Sequence, residues 1–177
     1  MNNGTSESTV SLLFLDIDGV LRGLHTKASP YKRAAIERMG IHDARTQLEL
    51  TLLDWYLVQQ LCAFVTANNI KVVVTSTWRE GWESEHFTEL FRLCGAELAN
   101  DCIIGCTPLM DEISETSKRG HEIKAYLDDT QRKRNYAILD DQGVKAFLPE
   151  QYERLVSTCP YKGLLASDLD KVLGHFA

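Results

Sequence analysis

The apolar positions of this chain change period along its length. Val10, Leu12, Leu13, Phe14 and Leu15 form a nearly continuous run that stops at Asp16, and Ile70-Lys71-Val72-Val73-Val74 forms a β-branched run that stops at Thr75. Short runs of this kind predict strands buried on both faces, as in a parallel sheet. Tyr136 to Leu139 make a third such run, ending at Asp140, and Ile103-Ile104-Gly105 a shorter one. Between them the spacing becomes helical. Leu53, Leu57, Leu61, Phe64 and Val65 share one helix face; Phe87, Leu90, Phe91 and Cys94 share a second; Ile123, Tyr126 and Leu127 share a third; and Leu169, Val172, Leu173 and Phe176 share a C-terminal one. The predicted order is strand, flap, helix, strand, helix, strand, helix, strand and a final helix. That alternation predicts an α/β fold, a doubly wound and mostly parallel sheet with helices on both faces.

Length and composition sharpen this picture without changing it. A chain of 177 residues with 44% hydrophobic content supports one substantial core. We expect a single domain over residues 10–177, with a small insertion at about 23–51. Residues 1–9 are polar, without a basic region followed by an apolar core, and read as a disordered tail and not a signal peptide. No window approaches the roughly 20 apolar residues that span a bilayer, so the expected location is cytoplasmic, with no membrane partner. The five cysteines lack a paired C-x-x-C pattern and are expected to be reduced structural thiols. No His spacing supports zinc.

The chemistry stands where the strand runs stop. Asp16-Ile17-Asp18-Gly19 sets two carboxylates one residue apart, and Gly19 permits the turn that lets them converge. A turn of this composition also occurs without a role. A calcium loop is disfavoured, because the sixth and twelfth positions from Asp16 are Leu21 and Lys27 instead of Gly and Glu. What the pair suits is metal-assisted phosphoryl transfer: one carboxylate attacks phosphorus while the second gives a proton to the leaving oxygen and later takes one from water. Asp140-Asp141-Gln142-Gly143 follows another strand, and Thr75-Ser76-Thr77-Trp78-Arg79 brings hydroxyls, backbone N–H groups and a guanidinium suited to a phosphate. Three strands delivering such groups at the same end argue against coincidence. The cation that a phosphoryl group beside several carboxylates requires is supplied by Lys118-Arg119, at the start of the third helical face. Spacing leaves open which of the two points inward, and whether Thr75 or Ser76 meets the phosphate.

In these segments the chain resembles the haloacid dehalogenase-like (HAD) phosphohydrolase superfamily, with its four motifs in order as Asp16-Ile17-Asp18-Gly19-Val20, Thr75-Ser76, Lys118-Arg119 and Asp140-Asp141. Ser76-Thr77-Trp78-Arg79, Arg119-Gly120-His121-Glu122-Ile123 and Leu139-Asp140-Asp141 resemble a small subgroup similar to HAD domains found alone or within RNA-repair proteins. The resemblance implies a HAD-like Rossmannoid fold with a small cap or none. It also implies a Mg²⁺-dependent phosphatase that works through an aspartyl phosphate on Asp16, with Asp18 as general acid/base. Asp16, the Asp18 carbonyl and Asp140 would hold Mg²⁺, Asp141 would act through water, and Thr75 or Ser76 with Arg119 or Lys118 would bind phosphate. The family usually has Lys in the third motif, whereas the local context here favours Arg119.

Substrate choice is expected in the segment 23–51. Its charges are His25, Lys27, Lys32, Arg33, Arg38, His42 and Arg45 against Glu37, Asp43 and Glu49, and Tyr31, Trp55 and Tyr56 are available for stacking. A solvated helix face accounts for the same charges. The first substrate reading is a phosphorylated small molecule. A nucleic-acid end is the alternative, against which stands a net charge of −6. A non-catalytic metal-binding regulatory module ranks last, because both Asp16 and Asp18 are present. Sequence leaves the oligomeric state open.

Overall fold

The computed structural model describes residues 10–23, 29–110, 117–129 and 135–177. The expected tail at 1–9 and positions 24–28 of the expected insertion lie outside the described residues. Five strands, β1 (Ser11–Leu15), β2 (Lys71–Val74), β3 (Ile103–Cys106), β4 (Asn135–Asp140) and β5 (Leu155–Ser157), form one parallel sheet in the order β3-β2-β1-β4-β5. The helices are α1 (Pro30–Arg38), α2 (Ala44–Leu52), α3 (Trp55–Ala67), α4 (Ser84–Leu93), α5 (Lys118–Asp129) and α6 (Ala166–Gly174). β5 is the strand that apolar patterning missed: it has three residues, too few to establish a period.

Leu12 to Leu15 are fully buried because the central strand is covered on both faces, each side chain contributing roughly 1.5–3 kcal/mol. The two faces are unequal. Leu13, Leu15, Val72, Val74, Ala137 and Leu139 belong to the larger core, with the buried residues of α3, α4 and α6. Leu12, Phe14, Val73 and Ile138 face a smaller cluster with Ile123 of α5 and Phe147. Phe14 meets the edges of Tyr126 and Tyr136 there, at centroid distances of 5.8 and 5.7 Å.

The predicted helix faces are largely observed, with shifts at their margins. On α3 the fully buried positions are Val58, Leu61, Cys62 and Val65; Leu53 instead closes α2, because Asp54 caps α3 through the N–H groups of Tyr56 and Leu57. Leu173 of α6 is 42% exposed, unlike Val172. All five cysteines are free thiols, and burial pushes Cys62 and Cys94 up to about 12, which keeps them protonated. Among the described residues no single helix is long and apolar enough to cross a membrane.

The described part of the segment 23–51 forms a helix pair with the residues that follow it, packed on the larger core through Ile36, Leu50 and Leu53. Ser29 and Asp43 cap its two helices. Two of its cations are engaged by groups of the protein itself. Lys32 Nζ donates to the Leu53 and Thr51 carbonyls at 2.6 and 3.3 Å, and Arg45 pairs with Glu49 at 3.0 Å.

The strand register positions the site. Leu15 lies opposite Val74 on one side and Leu139 on the other, so Asp16, Thr75 and Asp140 follow in one row across the ends of three adjacent strands. Such carboxyl ends are where open α/β sheets bind ligands.

Candidate active site

The ladder continues one step past β1. Asp16 donates its N–H to the Leu139 carbonyl at 3.0 Å, and Thr75 donates to Leu15 at 2.8 Å, which fixes both Cα positions. The chain then folds on itself: the Ile17 carbonyl accepts from Val20, Leu21 and Arg22, and Gly19 N–H donates to the Arg22 carbonyl at 2.8 Å. Gly19 has φ +70°, a left-handed conformation that suits glycine, and a Cβ added there would stand 2.1 Å from an Asp141 carboxylate oxygen. Thr158 secures this loop from the β5 side by donating its hydroxyl to the Gly19 carbonyl at 2.9 Å.

Arg119 is the cation inside the cluster. Its Nη1 lies 3.0 Å from Thr75 Oγ1, 3.0 Å from Asp140 Oδ2 and 3.3 Å from Asp16 Oδ1. The first turn of α5 reaches this position because Gly120 has no side chain: a Cβ there would meet the Leu148 nitrogen at 2.5 Å. Gln151 ties the same turn down by donating to the Gly120 carbonyl at 2.9 Å. Lys118, one residue earlier, is half-buried and lines a cavity of about 240 Å³ beside the cluster, together with Thr77, Glu80, Leu109 and Gln142. The two hydroxyls that sequence left open also part here. Thr75 accepts from Arg119, whereas Ser76 Oγ accepts from the Trp78 N–H at 3.4 Å and caps the 3₁₀ turn Thr77–Arg79.

Asp16, Asp140 and Asp141 bring carboxylate oxygens within 4.8 Å of one another. Burial, followed by the charge of Asp16, pushes Asp140 up to about 7 against the pull of Arg119. Burial and the charges of Asp16 and Asp18 raise Asp141 as well. Burial alone would lower the Arg119 guanidinium, but Asp16 and Asp140 reverse this and hold it above its ordinary value. One guanidinium among three carboxylates leaves a deficit of positive charge. Hard oxygen donors at this spacing suit a small divalent cation such as Mg²⁺, so the residues fit that ion.

Asp18 stands apart from that cluster. Its Oδ1 accepts from Arg22 Nη1 at 2.8 Å and its Oδ2 from Trp78 Nε1 at 2.9 Å. Neither partner was visible from spacing as a site residue. Trp78 lies 60 positions from Asp18, and nothing in the sequence links them.

Arg79 has a different task from the phosphate donor that its position after β2 suggests. Its guanidinium donates to the carbonyls of Thr75, Ser76, Thr107 and Pro108 at 2.6–3.2 Å and pairs with Glu122 at 2.7 Å. It therefore stitches the β2 tip to the segment after β3. Burial lowers its pKa, partly opposed by Glu122. Glu122 also reaches Arg119 Nε at 3.9 Å, so the two arginines share one buried acid. His121 Nδ1 contacts the Ser117 carbonyl at 2.8 Å, at the start of its own helix.

Carboxylates and a hydroxyl on three adjacent strand tips of an all-parallel sheet, with a guanidinium brought among them by the first turn of α5, define the class of domain. The chain matches, over residues 12–169, the family described as the HAD domain in Swiss Army Knife RNA repair proteins, and it belongs to that family. Its five-stranded sheet with flanking helices is the HAD-like Rossmannoid fold. No curated protein and no solved structure matches the chain.

Proposed function

We propose that this protein is a Mg²⁺-dependent phosphomonoester hydrolase working through an aspartyl phosphate on Asp16, in one catalytic domain over residues 10–177 with an insertion at about 23–51. The observation that carries this reading is the single Arg119 nitrogen within 3.3 Å of Asp16, Thr75 and Asp140, a cation already placed among the groups that would surround a phosphate. Arg119 and the Thr75 hydroxyl orient the phosphate and offset its charge. An Asp16 carboxylate oxygen forms a bond to phosphorus as the bond to the leaving oxygen breaks, and Asp18 gives that oxygen a proton. Water then attacks the acylphosphate phosphorus, Asp18 takes the water's proton, and inorganic phosphate departs with Asp16 restored. Asp16, Asp140, Asp141 and the Asp18 carbonyl would hold Mg²⁺, whose positive charge supplies electrophilic assistance at the phosphate. Lys118, at the wall of the adjoining cavity, and Ser76, through its turn, support the site from outside the cluster.

For the substrate, a phosphorylated small molecule fits the acidic chain, while the family's occurrence in RNA repair proteins favours a nucleic-acid end as the second reading. The test is phosphate release from sugar, nucleotide and oligonucleotide phosphates with Mg²⁺, with EDTA, and with Asp16→Asn. Release that needs Mg²⁺ and Asp16 is expected. Full turnover by the variant would overturn the mechanism, and the ranking of the panel separates the two substrate classes.

A further inference from the structure

The carboxylate of Asp18 has an occupant on each oxygen, and the two occupants are built differently. Trp78, on Oδ2, is fixed: its N–H is held by Ser76, its carbonyl accepts from Arg45 Nη2 at 2.8 Å, and its ring packs against the larger core. Arg22, on Oδ1, has a fixed backbone and a free end. Its N–H and carbonyl close the loop after β1, yet 38% of its side chain is exposed, and among the described residues Asp18 is its one side-chain partner. An exposed ion pair of this kind is worth only about 0–1 kcal/mol, so it exchanges readily for a better partner.

On the proposed reading Asp18 must meet the leaving oxygen, and both of its oxygens are engaged. Arg22 is the contact able to yield. The scissile phosphate already has Arg119, which belongs to the Asp16 cluster, whereas among the described residues the Arg22 side chain touches only Asp18, the acid that serves the leaving group. A guanidinium released there is matched by a second anion carried on the leaving group, which it can bind in a bidentate manner.

We propose that Arg22 is a specificity residue that passes from Asp18 to a second anionic group on the leaving group, and so selects phosphomonoesters that bear one. The inference rests on the phosphatase reading for its purpose. The anion is either the phosphodiester next to a strand end or the second phosphate of a small bisphosphate.

Two matched substrate pairs test this with the full chain and Mg²⁺. One is a terminally phosphorylated dinucleotide with a phosphodiester or an uncharged methylphosphonate linkage; the other is a nucleoside 3′,5′-bisphosphate against the corresponding monophosphates. In at least one pair the charged member is expected to lead by about tenfold in kcat/KM, roughly the worth of one partly exposed charge-assisted hydrogen bond. Arg22→Gln should bring that ratio to about one, and Arg22→Lys, which keeps the charge, should retain part of it. Which pair responds identifies the source of the anion.

Binding of the same ligands to Asp16→Asn, with and without Arg22→Gln, gives the comparison without turnover. A ratio unchanged by Arg22→Gln, or no charge preference in either pair, overturns the proposal even if phosphate is released. A charge preference in binding that Arg22→Gln erases, without any phosphate release, supports the role of Arg22 and places the failure on the phosphatase reading.

Discussion

Glu49 and Asp16 are carboxylates buried to the same degree, 5% and 4% exposed, but they lie in opposite kinds of surroundings. Both oxygens of Glu49 are met by donors: Arg45 Nε at 3.0 Å and Trp82 Nε1 at 3.2 Å on Oε1, and His86 Nε2 at 2.7 Å on Oε2. Trp82 stacks on His86 at 3.8 Å, and the Arg45 guanidinium lies 4.8 Å from the centroid of the Trp82 ring. Asp16 shares one arginine with two more carboxylates. The first cluster closes on itself and ties α2 to α4. The second is deficient in positive charge and has a reason to bind something. A buried carboxylate whose oxygens are all met by donors fastens a fold, and a cluster in surplus of acceptors invites a ligand.

Substitutions that exchange these roles give the largest effects. Asp16→Asn removes the proposed nucleophile and one of the repelling carboxylates, so phosphate release should fall by about 10³-fold or more. The urea midpoint should stay the same or rise, and the two assays are done on one preparation. Glu49→Ala does the reverse. It leaves Trp82 and His86 without their acceptor and should destabilise the protein by about 2–3 kcal/mol in urea unfolding, with kcat changed by less than about threefold.

Metal binding separates the clusters next. Mg²⁺ at about 100 times its dissociation constant should stabilise the wild type by about 2.7 kcal/mol, read as a rise in Tm. The same rise is expected in Glu49→Ala and should be absent from Asp140→Asn. A rise preserved in Asp140→Asn would dissociate the ion from this cluster.

The smallest effect is with pH. The folded Asp140 carboxyl titrates at about 7 against 3.8 for the ordinary group. Between those values the folded state therefore binds more protons than the unfolded state, and stability falls as pH rises through the window. In EDTA the Tm should be lower at pH 7.5 than at pH 5.5, and Mg²⁺ should flatten the slope. A metal-free Tm that climbs over that range contradicts the charge deficit.

The clusters also differ in how far they could be read from the chain. Asp16, Thr75 and Asp140 each directly follow an apolar strand run, and parallel register then aligns what the runs deliver, so the meeting of these three residues was legible. Arg119 was narrowed only to a pair, since adjacent residues in a first helical turn are distinguished by packing, here of Gly120 on Leu148. The strand tip left Thr75 and Ser76 open for the same reason, because alternation ends where the turn begins. The Glu49 cluster was illegible: its donors come from positions 33 and 37 residues downstream as well as from its own helix, and only tertiary structure unites them. Arg45, counted among the charges of a segment expected to choose substrate, serves that anchor and holds the Trp78 carbonyl, linking the segment 23–51 to the residue that holds Asp18. Arg79 illustrates the converse, a cation at the expected place whose donors are occupied by backbone carbonyls and one buried acid.

Gly19 and Asp141 are 122 positions apart, yet the space a methyl would fill at one is filled by the carboxylate of the other. Variation at these two positions is therefore coupled by shape before chemistry enters. Any side chain at 19 would have to shorten or displace the acid at 141, and with it one corner of the carboxylate cluster. The first strand tip and the fourth are thus fitted to each other as one surface, although they lie far apart along the chain.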